Sequence, residues 1–216
     1  METESVENRQ EYYSDFEILT KIWTKPRLVF NYIIRTGYDN HVALFLILQG
    51  ISRAFSRASS KNMGDSFSLE AILFICITFG GFLGWISLYF YAALVSLTGK
   101  WLNGIADTYS TLRVLAYAMT PTIFSLPLFL IKILICGNEL FKGNPYVDEI
   151  GSSTNIIILG ILVCEMLLGI WTLILLVIGI SELQRMTIWK SILNLIMPVL
   201  FISIPIIIIS IIYKFL

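Results

Sequence analysis

One acid stands out among the residues that could move a proton or hold a ligand. Glu165 is the single charged residue of the stretch 150–181. A carboxyl in such an apolar run has two uses. Desolvation can keep it protonated, so that it serves as a structural hydrogen-bond donor. Alternatively it takes up and releases a proton or cation, as intramembrane acids do in pumps. The structural use predicts that Glu165→Gln is tolerated and Glu165→Leu is not; the ionic use predicts lost activity with Gln. At about 1.5 Å per residue, Gln49, Thr78, Ser125 and Ser203 come to a similar depth in their own runs. Lys132 comes out about 10 Å nearer the outer face on the same ruler. Hydrogen bonding of Glu165 to neutral groups is therefore expected over a direct ion pair.

Other chemistries lack their parts. His41 is the only histidine, so no Ser-His-Asp triad and no multi-histidine metal site can form. It stands beside Asp39 and reads as an interfacial polar residue. Cys76, Cys136 and Cys164 are an odd number without close spacing, which gives neither a disulfide framework nor a zinc motif. No Gly-rich phosphate loop and no His-Glu-x-x-His occurs, and no apolar run contains an aspartate. Glu139, Asp148 and Glu149 in the loop 137–155 read as dispersed surface acids, with a cation site as the alternative. The expectation is a protein that is not an enzyme and carries no cofactor and no metal.

The elements that must position these residues are apolar. The chain has 216 residues, 56% hydrophobic and only 14% charged, with mean hydropathy +0.79. Soluble domains are about 25% charged, so disorder, nucleic-acid binding and ordinary soluble enzymes are excluded. A bilayer-crossing helix needs about 20 mostly apolar residues. The runs 71–99, 114–131, 150–181 and 191–213 meet that length. The shorter run 40–52 reads as a further span because 42–51 is densely apolar and Arg53 and Arg57 can snorkel. The expected fold is an all-α polytopic membrane bundle of five transmembrane helices.

Ahead of the bundle the chain changes character twice. Residues 1–17 hold six acids against one base, Arg9, which leaves fourteen bases against nine acids elsewhere. Residues 1–15 read as an acidic disordered cytoplasmic tail. The start is acidic, without the basic and apolar pattern of a secretory signal. Residues 16–37 interleave apolar with basic residues, and Thr24 can cap a helix with Pro26 in its first turn. This segment reads as an interfacial amphipathic helix with Lys21, Lys25 and Arg27 at headgroup level, a plain linker being the alternative. Residues 38–216 form the transmembrane domain.

Loop charges orient the chain. With the N-terminus inside, nine basic residues face inward (Arg9, Lys21, Lys25, Arg27, Arg35, Lys100, Arg113, Arg185 and Lys190). Five face outward (Arg53, Arg57, Lys61, Lys142 and Lys214). The excess favours a cytoplasmic N-terminus and an outer C-terminus, with Trp23, Trp101 and Trp189 in the inner aromatic belt.

Within the spans, Gly80 and Gly84 make a small-xxx-small pair that Gly81 widens, a face for close helix packing inside the chain or between protomers. Pro121, Pro127, Pro198 and Pro205 lie inside spans and read as shape determinants, with substrate-exposing breaks as the alternative. Asp107 is a plausible N-cap for the third span.

The ordered set Ile22-Trp23-Thr24-Lys25-Pro26-Arg27, the loop 57–65, Gly80-Gly81-Phe82-Leu83-Gly84-Trp85 and Tyr117-Ala118-Met119-Thr120-Pro121 resembles the bacterial branch of the Yip-domain family (Ypt/Rab-interacting protein domain). The similarity covers 18–215, with Pro26, Asp107, Tyr117 and Pro121 as motif positions. It implies five spans, an N-terminus in the cytoplasm and a multi-pass location in the cell's inner membrane. Eukaryotic members are implicated in vesicle trafficking and bind small GTPases. The Asp-Leu-Tyr-Gly-Pro signature of those members is missing here, so no Rab-type partner is carried over. The expected function is non-enzymatic: organising membrane or scaffolding partners, with the lipid bilayer, further copies of the chain or other membrane proteins as contacts. The alternative is a small transporter or channel using Glu165 and Gln49.

Overall fold

Local signals start several of the helices. In the computed structural model, which describes residues 13–143 and 152–215, the Glu17 N–H donates to Ser14 Oγ at 3.3 Å. The Ser14 N–H donates back to the Glu17 carboxylate at 3.1 Å. This capping box opens α1 (Asp15–Thr24). Pro26 then opens α2 (Pro26–Thr36), where its missing N–H leaves nothing unserved. Gly37 ends α2 at φ +67°, a left-handed turn that favours glycine. Ile18, Ile22, Val29, Phe30 and Ile33 are buried. The apolar stripe of these two helices faces the chain's own bundle, with α2 packed on the later helices Thr108–Ala118 and Ser152–Gln184.

The bundle follows as α3 (Val42–Ser60), α4 (Leu69–Trp101), α5 (Thr108–Ala118), α6 (Thr120–Ile123), α7 (Ser125–Cys136), α8 (Ser152–Gln184) and α9 (Ile188–Phe215). Short 3-10 turns follow α3 and α7. The described secondary structure is helical throughout. Ser68 caps α4, and Asp107 caps α5 by accepting from the Tyr109 and Ser110 N–H groups at 2.9 and 3.1 Å.

Four segments are long and apolar enough to cross a membrane: Leu69–Trp101, Thr120–Phe141, Asn155–Gln184 and Ile188–Pro205. α3 falls outside this set; Arg53 and Arg57 interrupt its apolar run.

The third span differs from its expected course of 114–131. It is broken at Met119 and Phe124, and its apolar crossing runs from Thr120 to Phe141. Proline 121 is the cause, because it cannot donate to the helical ladder. The Thr120 hydroxyl donates to the Tyr117 carbonyl instead, at 2.9 Å. Pro127 likewise falls in the first turn of α7, where no ladder donor is missed. Pro198 and Pro205 lie inside α9, which continues through both. α5 itself is a buried helix: Thr111, Val114, Leu115, Ala116 and Ala118 are fully enclosed by α2, α4 and α8.

The acidic tail before Tyr13, together with Asp148, Glu149 and both chain ends, lies outside the described residues.

Candidate functional site

The site is built on a close helix contact. A Cβ placed on Gly84 would lie 2.2 Å from Gly50 Cα, and one on Gly50 would lie 2.3 Å from the Gly80 carbonyl oxygen. A Cβ on Gly80 would lie 2.6 Å from Ala54 Cβ. The small residues of α4 therefore meet Gly50 and Ala54 of α3 backbone to backbone. Gly81 borders the contact beside Ile47. Gly50 and Ala54 escaped the sequence reading, although their four-residue spacing matches that of Gly80 and Gly84.

This contact sets the depth of three polar residues on α3. Gly80 lies about 14 Å into the charge-free stretch of α4, close to mid-bilayer for a core about 30 Å thick. Gln49, Ser52 and Arg53 stand within a turn of Gly50 on the facing helix. Gln49 is 1% exposed, and its Nε2 donates to the Ala116 carbonyl at 2.8 Å. It thus caps the C-terminal turn of α5 just before the proline break. The Ser52 and Ser125 hydroxyls pair at 3.0 Å.

Between α3, α6, α7 and α8 lies a cavity of about 470 Å³ lined by Ser52, Arg53, Arg57, Thr122, Ser125 and Glu165, among others. Glu165 accepts two short contacts from Lys132 Nζ, at 2.7 Å to Oε1 and 2.8 Å to Oε2. The Lys132 side chain is 6% exposed and lies over the Phe129 ring at 4.5 Å. The expectation of neutral partners for Glu165 is thereby corrected. The straight ruler failed because the third span restarts at Phe124 and sets Lys132 level with the acid on α8. Thr78 and Ser203 do not join the site: Thr78 is exposed on α4, and Ser203 donates to the Val199 carbonyl of its own helix at 2.6 Å.

At the opposite end of α3, the loop before it is tied to α1. The Tyr38 hydroxyl donates to Asp15 Oδ1 at 2.5 Å, and His41 Nε2 lies 2.7 Å from Asp15 Oδ2. These bonds hold the Asp15 carboxyl below its usual range, the Tyr38 hydroxyl contributing most. Burial, with Asp15 beside it, pushes Tyr38 up to about 12. The Tyr117 hydroxyl donates to the Asn40 carbonyl, which fixes the α2–α3 corner on α5. The hydrogen bond from Ser110 lowers the Asp107 carboxyl in its cap.

The basic residues of α1, α2 and their junction do not share a partner. Lys21 pairs with Glu17 at 2.9 Å, Arg27 lies 3.6 Å from Glu182, and Lys25 is exposed. Glu139 pairs with Lys142 at 2.5 Å. The described residues hold no cluster of three or more His, Cys, Asp and Glu arranged for a metal. Cys76, Cys136 and Cys164 are free thiols.

An all-helical chain with four bilayer-length apolar helices is a multi-pass membrane protein. The family model of the Yip1 domain matches residues 20–211, and the chain belongs to that family. Comparisons with curated proteins and with solved structures gave no significant match.

Proposed function

We propose that this Yip1-domain protein is a non-enzymatic organiser of membrane or scaffold for membrane partners, in the inner membrane of a bacterial cell. In this reading α3 crosses as a fifth span, the N-terminus is cytoplasmic and the C-terminus lies outside. The loop charges support that orientation. Lys21, Lys25 and Arg27 lie at the inner headgroup level in this reading, Lys25 exposed and Arg27 beside Glu182 of α8.

The observation that carries the reading is the close packing of the inner half of the bundle. Phe30, Val95, Leu115, Leu175 and Ile180 are each 0% exposed, packed beside the buried Ser96, Thr98, Gln184 and Asn194. The outward faces of α8 and α9 are in contrast uncovered, as at Leu159, Leu173 and Val199. They are surfaces for lipid, for a second copy or for another membrane protein.

A second reading, a small transporter, draws on one observation: Glu165, paired with the buried Lys132, lines the cavity. Photo-crosslinkers at Leu173 and Val199 in native membranes, with flux assays on proteoliposomes, separate the two. Discrete protein adducts from inert liposomes support the organiser. Lipid adducts alone, with saturable flux lost in Glu165→Gln, would establish the transporter instead. Cysteine labelling at Asn8 and Leu216 tests the topology; reaction of both from one side would remove α3 from the spans.

A further inference from the structure

Arg53 and Arg57 stand one turn apart on α3, and both line the polar cavity. Among the described residues no carboxylate lies within 4.0 Å of either guanidinium; the acids that pair do so with Lys21, Arg27, His41, Lys132 and Lys142. The polar contact of the Arg53 guanidinium is from Nη2 to the Met119 sulfur at 3.4 Å, a weak acceptor. Glu165 does not balance the two arginines, because Lys132 already neutralises it. The cavity thus carries about two uncompensated positive charges, one on the half-buried Arg53, where an unpaired charge in an apolar bundle is costly, and one on the exposed Arg57 at its mouth.

The hydroxyls around the cavity are spent as donors. Ser125 donates to the Thr122 carbonyl at 2.6 Å, Thr122 to the Met119 carbonyl at 2.7 Å, and Ser56 to the Ser52 carbonyl at 3.1 Å. The free donors are the guanidinium N–H groups, whose fork matches phosphate oxygens. On the other side of α3, the same two arginines and Lys61 edge a groove of about 310 Å³. Ile75, Phe79 and Leu83 of α4 line it, apolar enough to lodge an acyl chain.

We propose that Arg53 and Arg57 form a binding site for a phosphate ester. The two guanidinium groups engage its phosphate oxygens, and Glu165, neutralised by Lys132 behind it, is part of the cavity wall. The same chemistry is offered by an anionic lipid headgroup and by a free phosphate compound.

The test uses the full chain in a neutral detergent. Thermal unfolding is followed while dioctanoyl phosphatidylglycerol, dioctanoyl phosphatidylcholine or inorganic phosphate is added. A saturable rise in Tm with phosphatidylglycerol, and a weaker one with phosphatidylcholine, identifies a lipid site. A rise with inorganic phosphate alone identifies a free-anion site. In either case Arg53→Gln with Arg57→Gln should weaken the apparent affinity about tenfold or more, while Lys25→Gln, an exposed change at the junction of α1 and α2, should stay within about twofold. Should the double variant not fold, Arg57→Gln alone must weaken binding, since Arg57 is exposed. No saturable shift with any probe, or equal shifts in wild type and arginine variants, overturns the site.

Discussion

Replacing Gly84 by alanine would place a methyl carbon 2.2 Å from Gly50 Cα. Non-bonded carbons rest about 3.5–4.0 Å apart, so the shortfall is at least about 1.3 Å. Both opposing groups are fixed to backbone, and no rotamer can relieve the clash. α3 and α4 must part, and overpacking of this kind costs about 1–3 kcal/mol; the backbone clash puts Gly84→Ala near the upper end. Gly80→Ala meets Ala54 Cβ at 2.6 Å, a side-chain atom that Ala54→Gly removes. The single change should cost about 2 kcal/mol, and the pair should recover about half of it. Gly81→Ala meets only the Ile47 Cγ2 methyl at 3.2 Å and should stay within about 0.5 kcal/mol of wild type. Thermal unfolding in detergent reads the series, with size-exclusion chromatography in parallel. Gly84→Ala melting together with Gly81→Ala would refute the α3–α4 contact. An altered oligomer with unchanged Tm would assign the glycine face to a contact between protomers.

Three further outcomes are expected. Lys132→Met leaves Glu165 unpaired and should cost about 3 kcal/mol, the low end for a buried pair because the Glu165 side chain is 21% exposed; adding Glu165→Leu should restore most of the loss, and strictly additive Tm changes would mean the pair is not coupled. Gln49→Leu removes the donor to the Ala116 carbonyl and should cost about 1–3 kcal/mol in the same melt; a Tm equal to wild type would show that the break at Pro121 needs no cap. Asp15 is held below its ordinary value of 3.8, so its bonds stabilise α1 above that pH and are lost as pH falls through the lowered folded value. Hydrogen-exchange protection over 14–24, taken relative to the intrinsic rate at each pH, should therefore fall on acidification in wild type and fall by a smaller step in Asp15→Asn, where Glu17 of the capping box still titrates.

Much of the architecture is legible because it rests on local chemistry. The apolar runs set the bilayer-length helices, the Ser14–Glu17 and Asp107 caps start theirs, and Pro26 marks the first turn of α2. Each of these needs only neighbours in the chain.

The candidate site is different, since its members come from four helices. The notch at Gly80 and Gly84 declares that some helix comes close, but not that Gly50 is what it meets. The amphipathic pattern of α1 and α2 is the same whether the stripe faces lipid or protein, and it took α5 and α8 to supply the answer. The cap on Ala116 depends on the break that Pro121 makes just after it, and the Lys132–Glu165 pair on the restart of the span at Phe124. Composition and periodicity determined that these helices exist and lie in a membrane. Which faces touch was decided by the tertiary structure, because a contact depends on the relative rotation and depth of two helices, and neither is encoded within the span of one.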